Sequence, residues 1–165
     1  MTRIGILSDT HGYWDPRYAK YFAEVDEIWH AGDIGTAEVA QRLSEVATLR
    51  AVYGNIDGYP VRGMFGEIYR FRCEQVDVLL KHIGGHPPNY DPSVRQLLQR
   101  RPPQLFVCGH SHILRVEHDP QLGLLHINPG AAGISGFHQV RTLVRLVIDQ
   151  TDIRDLEVIE LGSAK

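Results

Sequence analysis

The sequence predicts an α/β protein in which two sheets pack together with helices on the outside. Two observations carry this reading. Apolar runs and amphipathic segments alternate early in the chain, and the later part is nearly all strand. A length of 165 residues suits one domain spanning 1–165. A domain of that size buries roughly 70% of the surface its unfolded chain exposes, so it needs no disulfide or structural metal to fold. No linker, internal repeat or low-complexity segment divides it.

Residues 3–8 are a short apolar run, read as a buried strand and closed by the turn-forming Asp9-Thr10-His11-Gly12. Residues 16–25 read as a helix: Pro16 suits a first turn, and Tyr18, Tyr21, Phe22 and Val25 share one side. A second strand over 27–31 ends at Gly32-Asp33. Thr36 caps a helix over 37–47, where Val39, Leu43 and Val46 recur three or four apart. A third strand, 48–53, ends at Gly54-Asn55. Strands at 67–72 and 76–80 are joined by the polar turn Cys73-Glu74-Gln75, and the second runs into Lys81-His82-Ile83-Gly84-Gly85. Pro92 opens a helix to about Arg100, stopped by Arg101-Pro102-Pro103. Residues 104–108 form a strand followed by Gly109-His110-Ser111-His112, and further strands cover 113–117, 122–127, 140–148 and 153–161.

Composition narrows the function. The net charge of −3 argues against broad electrostatic binding of nucleic acid. No apolar run approaches the roughly 20 residues of a membrane span, and Met1-Thr2-Arg3-Ile4 does not read as a signal peptide. Two cysteines, Cys73 and Cys108, exclude a disulfide scaffold and fit a reducing cytoplasm. The nine histidines are the unusual feature.

Asp9 with His11, Asp33, Asn55, His82, and His110 with His112 each fall just after a predicted strand. In α/β sheets, ligands collect beyond the carboxyl ends of strands. Two carboxylates, one amide and four imidazoles, with no thiolate, suit manganese, iron, zinc, cobalt or nickel better than a pure Ca or Mg cage. Seven donors exceed the needs of one tetrahedral ion and suit two ions sharing a carboxylate. Two divalent ions set against two carboxylates and a bridging hydroxide leave a site of about +1, attractive to phosphate. Such a pair, roughly 3.5–4 Å apart, supplies a hydroxide nucleophile near neutral pH.

Taken together, Asp9-Thr10-His11, Gly32-Asp33, Gly54-Asn55-Ile56-Asp57, a His after a strand and Gly109-His110-Ser111-His112 resemble the ordered motifs of calcineurin-like metallophosphoesterases. The small size and Ile127-Asn128-Pro129-Gly130 resemble the compact bacterial and archaeal phosphodiesterase branch, which includes the retromer scaffold subunit Vps29. The resemblance implies a four-layer α/β/β/α sandwich of two mixed sheets. It places Asp9, His11, Asp33 and His112 on one ion, and the bridging Asp33 with Asn55, His82 and His110 on the other. Manganese is the metal it implies first, with iron, zinc or nickel compatible. The substrate expected is a small or nucleotide-like phosphodiester, favoured over a monoester and attacked by the bridging hydroxide. A protein-interaction scaffold on the same fold is the alternative. The oligomeric state stays open, a homo-oligomer included.

Two positions depart from the family pattern. Many members carry a His where this chain has Ile56, which cannot neutralise phosphate or protonate a leaving group; His86 or His138 could substitute. In place of His-Gly-His stands Lys81-His82-Ile83-Gly84-Gly85-His86. His82 is preferred as ligand because it directly follows a strand, with His86 as competitor. Of the rest, His30 reads as a buttress behind Asp33, His118 as solvated, and His126 as packed rather than coordinating. Asp57 is expected to hydrogen-bond a ligand and orient it.

Overall fold

The computed structural model describes residues 1–164. In chain order the elements are β1 (Thr2–Leu7), α1 (Pro16–Tyr21), β2 (Glu27–His30), α2 (Ala37–Val46), β3 (Thr48–Ala51), α3 (Val61–Met64), β4 (Ile68–Cys73) and β5 (Val76–Lys81). They continue with β6 (Gly85–His86), β7 (Asn89–Tyr90), α4 (Pro92–Arg100), β8 (Leu105–Val107), β9 (Arg115–Asp119), β10 (Leu124–Asn128), β11 (Val140–Asp149) and β12 (Asp152–Ser163). One five-stranded sheet has the order β12-β11-β1-β2-β3 and the other β4-β5-β8-β10-β9. Each has a parallel centre: β1, β2 and β3 run together, as do β5, β8 and β10.

The alternation of side chains along the strands produces the layers. Ile4, Ile6 and Trp29 from the first sheet meet Val78, Leu80, Leu105, Val107 and Ile127 from the second in one buried cluster. On the outer face of the first sheet, Leu7 and Ile28 pack against Tyr18 and Phe22 beside α1, Val39 and Leu43 of α2, and Val61 of α3. On the outer face of the second, Leu79 and Phe106 pack against Val94 and Leu98 of α4. The result is the α/β/β/α sandwich implied by the resemblance.

The helix starts follow their caps. Asp15 accepts from Arg17 N at 2.9 Å, Thr36 from Val39 N at 3.4 Å, and Asp91 from Ser93 N at 3.0 Å. The first helix ends at Tyr21, short of the expected Val25. The chain must turn there because Asp26 is already tied to Arg3, its N–H to the Arg3 carbonyl and its carboxylate accepting from Arg3 N. The strand expected at 113–117 begins at Arg115, since the loop carrying His110 and His112 extends further. The short α3 and the two-residue strands β6 and β7 had no counterpart in the sequence reading, being too brief for a periodic pattern.

His126 lies on the outer face of the second sheet, its ring 5.5 Å from that of Phe106 and its Nε2 3.8 Å from Cys108 Sγ. Both His126 and Cys108 are fully buried. Burial pushes the Cys108 thiol up to about 12 and the His126 imidazole down to about 4. An unfolded chain takes up a proton at His126 below about pH 6.5 that the native protein refuses until about pH 4. Its contribution to stability is therefore complete above pH 6.5 and is lost as pH falls toward 4. In urea unfolding of the metal-free protein, the loss of stability between pH 7 and pH 5 should be smaller in His126→Leu than in the wild type by about 2 kcal/mol.

Candidate metal centre

The parallel strands of both sheets deliver their following loops to one edge. Asp9 and His11 follow β1, Asp33 follows β2, Asn55 follows β3, His82 follows β5, and His110 and His112 follow β8. Five of these residues have left-handed backbones: φ is 55° at Asp9, 48° at His11, 55° at Asp33, 71° at His110 and 64° at His112. Asp and His tolerate that region better than most residues, at a cost of order 1–3 kcal/mol each. The surrounding main chain enforces it. Asp9 N donates to Gly32 O, His11 N to Asp33 O and Gly12 N to Ile34 O, zipping the first loop onto the second. Gly109 N donates to His82 O, joining the loops of the other sheet. At Gly109 any Cβ would collide with the Ser8 hydroxyl and the Asp9 carboxylate, so only glycine lets the two sheets' loops approach.

The side chains form two groups, Asp9 with His11 and His112, and Asp33 with His82 and His110, whose candidate ligand atoms lie within 4.8 Å of one another in each group. Asp9 Oδ2 is engaged by Ser8 Oγ at 2.7 Å and His110 N at 3.1 Å, which leaves Oδ1 facing His112 Nε2 at 3.2 Å and His11 Nε2 at 3.7 Å. Asp33 Oδ1 accepts from Ile56 N at 3.0 Å, and its Oδ2 stands 3.1 Å from His82 Nε2 and 3.5 Å from His11 Nε2, between the groups. Ile56 thus contributes its main-chain N–H to the site.

Three buried polar atoms here lack a hydrogen-bond partner: Asp9 Oδ1, His11 Nε2 and His82 Nε2. Buried polar groups are rarely left so. A carboxylate oxygen and imidazole nitrogens converging unspent are the donor set that a divalent cation satisfies. The tautomers agree. His82 Nδ1 donates to Ala31 O at 2.7 Å, so its Nε2 carries the lone pair. His138 Nε2 donates to Gly133 O at 2.7 Å, so its Nδ1 accepts from His112 Nδ1 at 3.1 Å, again freeing the inward Nε2.

Electrostatics bind the two groups together. Burial works to raise the Asp9 carboxyl, but His11, His112, His82 and Ser8 outweigh it and hold it far below the usual carboxylate range. Asp33 is likewise lowered, with burial opposed chiefly by His82. The Asp9 carboxylate, with Asp33, favours the charged form of His11 and raises it; at His82 burial pulls down, and the Asp33 and Asp9 carboxylates together outweigh it and raise the imidazole.

The other candidates each neighbour a residue of the two donor groups. Asn55 is exposed and lines a pocket of ≈ 250 Å³ with Tyr53, Arg62, Glu67, Lys81 and His82. His86 belongs to neither donor group: its Nδ1 donates to Pro87 O at 3.0 Å, and it lines a separate pocket with His110 and Arg115. His138 sits behind His112. Asp57 does not touch an imidazole as expected. Its carboxylate accepts from the main-chain N–H groups of Gly54, Ile34 and Gly35 at 2.8, 3.1 and 2.8 Å, clamping the loops after β2 and β3. That role was hidden because its partners are backbone atoms from another loop. His30 is a buttress, its Nδ1 accepting from Gly32 N and its Nε2 donating to Thr10 Oγ1, and burial lowers it to about 4. Sequence reasoning passed over Ser8, Arg62 and Lys81. Ser8 adjoins Asp9 in sequence, but the two cations carry no local pattern.

A two-sheet α/β sandwich with buried carboxylates and imidazoles gathered at its strand ends is suited to holding metal ions. The chain belongs to the calcineurin-like phosphoesterase superfamily, whose domain matches residues 2–151. Membership implies binding of divalent metal. A probable metallophosphoesterase of Mycoplasma pneumoniae is 34% identical over 164 residues, covering 94% of this chain and 96% of that protein. An archaeal phosphodiesterase structure superposes with a TM-score of 0.73 at 21% identity, covering 96% of this chain and 99% of its own. Zinc-bound Vps29 from Entamoeba histolytica gives 0.73 at 16% identity, covering 96% and 98%. Among the described residues no helix is long and apolar enough to cross a membrane.

If His138 fixes the tautomer of His112, His138→Ala should weaken Mn²⁺ binding by about 10–100-fold in a calorimetric titration. His138→Gln, which keeps an acceptor, should recover part of that loss.

Proposed function

We propose that the protein is a phosphodiesterase dependent on two divalent cations, manganese first and iron, zinc or nickel as alternatives, acting on a small or nucleotide-like diester. The observation that carries this reading is the pair of donor groups joined through Asp33 Oδ2, with unspent lone pairs of Asp9, His11 and His82 facing inward. On this reading Asp9, His11, Asp33 and His112 hold one ion, and Asp33, Asn55, His82 and His110 the other. The placement of Asp33 Oδ2 between His11 and His82 supports it as the shared ligand. Cations held there supply Lewis-acid polarisation of the phosphoryl oxygens and a water acidic enough to act near neutral pH.

The chain's own residues orient and neutralise the substrate. Asn55 lines the pocket beside His82 and can donate its amide N–H to a phosphoryl oxygen. Arg62 and Lys81 line the same pocket and favour an anion there. Ile56 offers no proton, so the reading favours an ester whose leaving oxygen is stable as an anion, such as an aryl or phosphoryl oxygen. His86 is the candidate donor for a poorer leaving group, and His138 is read as orienting His112. A second reading, a protein-interaction scaffold with little turnover, draws on Ile56 and the likeness to Vps29. The complete donor set weighs against it.

Protein reconstituted with Mn²⁺ should hydrolyse bis(p-nitrophenyl) phosphate, and EDTA should abolish the rate. Asp33→Asn and His82→Ala should each lower kcat/KM at least about 100-fold, because several kcal/mol of charge stabilisation leave with the ion. Absence of any metal-stimulated rate with aryl diesters would leave the scaffold reading in place.

A further inference from the structure

The two flanks of the donor groups differ in chemistry. Beside His82 the pocket is lined with Arg62 and Lys81. Beside His112 a cavity of ≈ 400 Å³ runs between residues 110–113 and 136–138, and its walls hold no Lys, Arg, Asp or Glu. That volume falls within the roughly 300–1,000 Å³ of small-molecule sites. Phe137 stands on its rim 98% exposed, with Ile113 at 53%. Single exposed apolar side chains need no explanation, but these share one cavity whose inner wall is two candidate ligand imidazoles.

The position of Phe137 is fixed from both sides. His138 is hydrogen-bonded to His112 Nδ1 and to Gly133 O. Gly136, at φ +130°, lies so close to the His112 ring that any Cβ would collide with it. The chain is therefore pinned against a candidate ligand immediately before and after Phe137, whose exposed side chain lines the cavity. This arrangement suits a π-face offered to a ligand.

We infer that Phe137 is a stacking platform for a flat aromatic group of the substrate, an aryl ring or a nucleobase, seated in the cavity beside His112 while the phosphate lies at the donor groups. The inference rests on the phosphoesterase reading and names its substrate class. The uncharged walls accept a ring and leave the phosphate to the centre. An aromatic ester group is also compatible with Ile56, because an aryl oxygen departs without a proton.

The test is binding rather than turnover. Mn²⁺-loaded protein is titrated calorimetrically with AMP, phenyl phosphate and inorganic phosphate, in the wild type and in F137A. Because Phe137 is 98% exposed, its removal leaves the core intact. AMP or phenyl phosphate, whichever ring the seat prefers, should bind about tenfold more tightly than phosphate to the wild type and lose that advantage in F137A. In F137W, the indole fluorescence should be quenched on addition of the preferred ring. Equal affinities for all three probes in the wild type, or an advantage that survives in F137A, would overturn the inference. Self-association abolished by F137A while AMP affinity is unmoved would overturn it in favour of a second copy on this face. A ring-dependent gain in binding without turnover of any diester would sink the phosphodiesterase reading and leave the seat standing.

Discussion

Donors from two different sheets meet at a single seam, and the packing between those sheets is what brings them into range. Asp9, His11 and Asp33 come from the ends of β1 and β2, whereas His82, His110 and His112 come from the ends of β5 and β8. Ile4, Ile6 and Trp29 lock against Val78, Leu80 and Val107 in the layer between. A one-residue slip of β1 would turn Ile4 and Ile6 to the wrong face and carry Asp9 about 3.3 Å along the strand. The apolar pattern thus sets the position of the polar centre, although no side chain of that pattern takes part in it.

Around the seam the protein accepts local cost for convergence. Two carboxylates buried together repel, and the imidazoles opposite them offset this, holding both acids ionised. The left-handed residues persist because the backbone bonds between loops and the Asp57 clamp leave the chain no relaxed alternative. This is the expected profile of a site built for an occupant: Asp9, His82 and His112 are each held by a partner on the far side, namely Ser8, Ala31 and His138.

Much of this was legible in the amino-acid order, for identifiable reasons. The buried central strands announced themselves as short apolar runs, and Pro16, Thr36 and Pro92 marked helix starts, while the caps Asp15 and Asp91 emerged only from the structure. The donor residues stood out because each directly follows such a run. What escaped were features set by tertiary partners. The end of α1 depends on Asp26 meeting Arg3, and the task of Asp57 depends on the N–H groups of Ile34 and Gly35. The pockets holding Arg62, Lys81 and Phe137 form only when distant loops are side by side.

Cys108 directly follows β8 and leads into Gly109 and His110, yet its side chain is buried on the outer face of the sheet in the cluster with Tyr90 and Phe106. With its proton held to about pH 12 it presents no thiolate to electrophiles or peroxide. Oxidants that damage the centre must therefore do so through bound metal or imidazole. Uptake of a maleimide by this cysteine becomes a clock for breathing of the second sheet, one that an occupant of the edge above should slow.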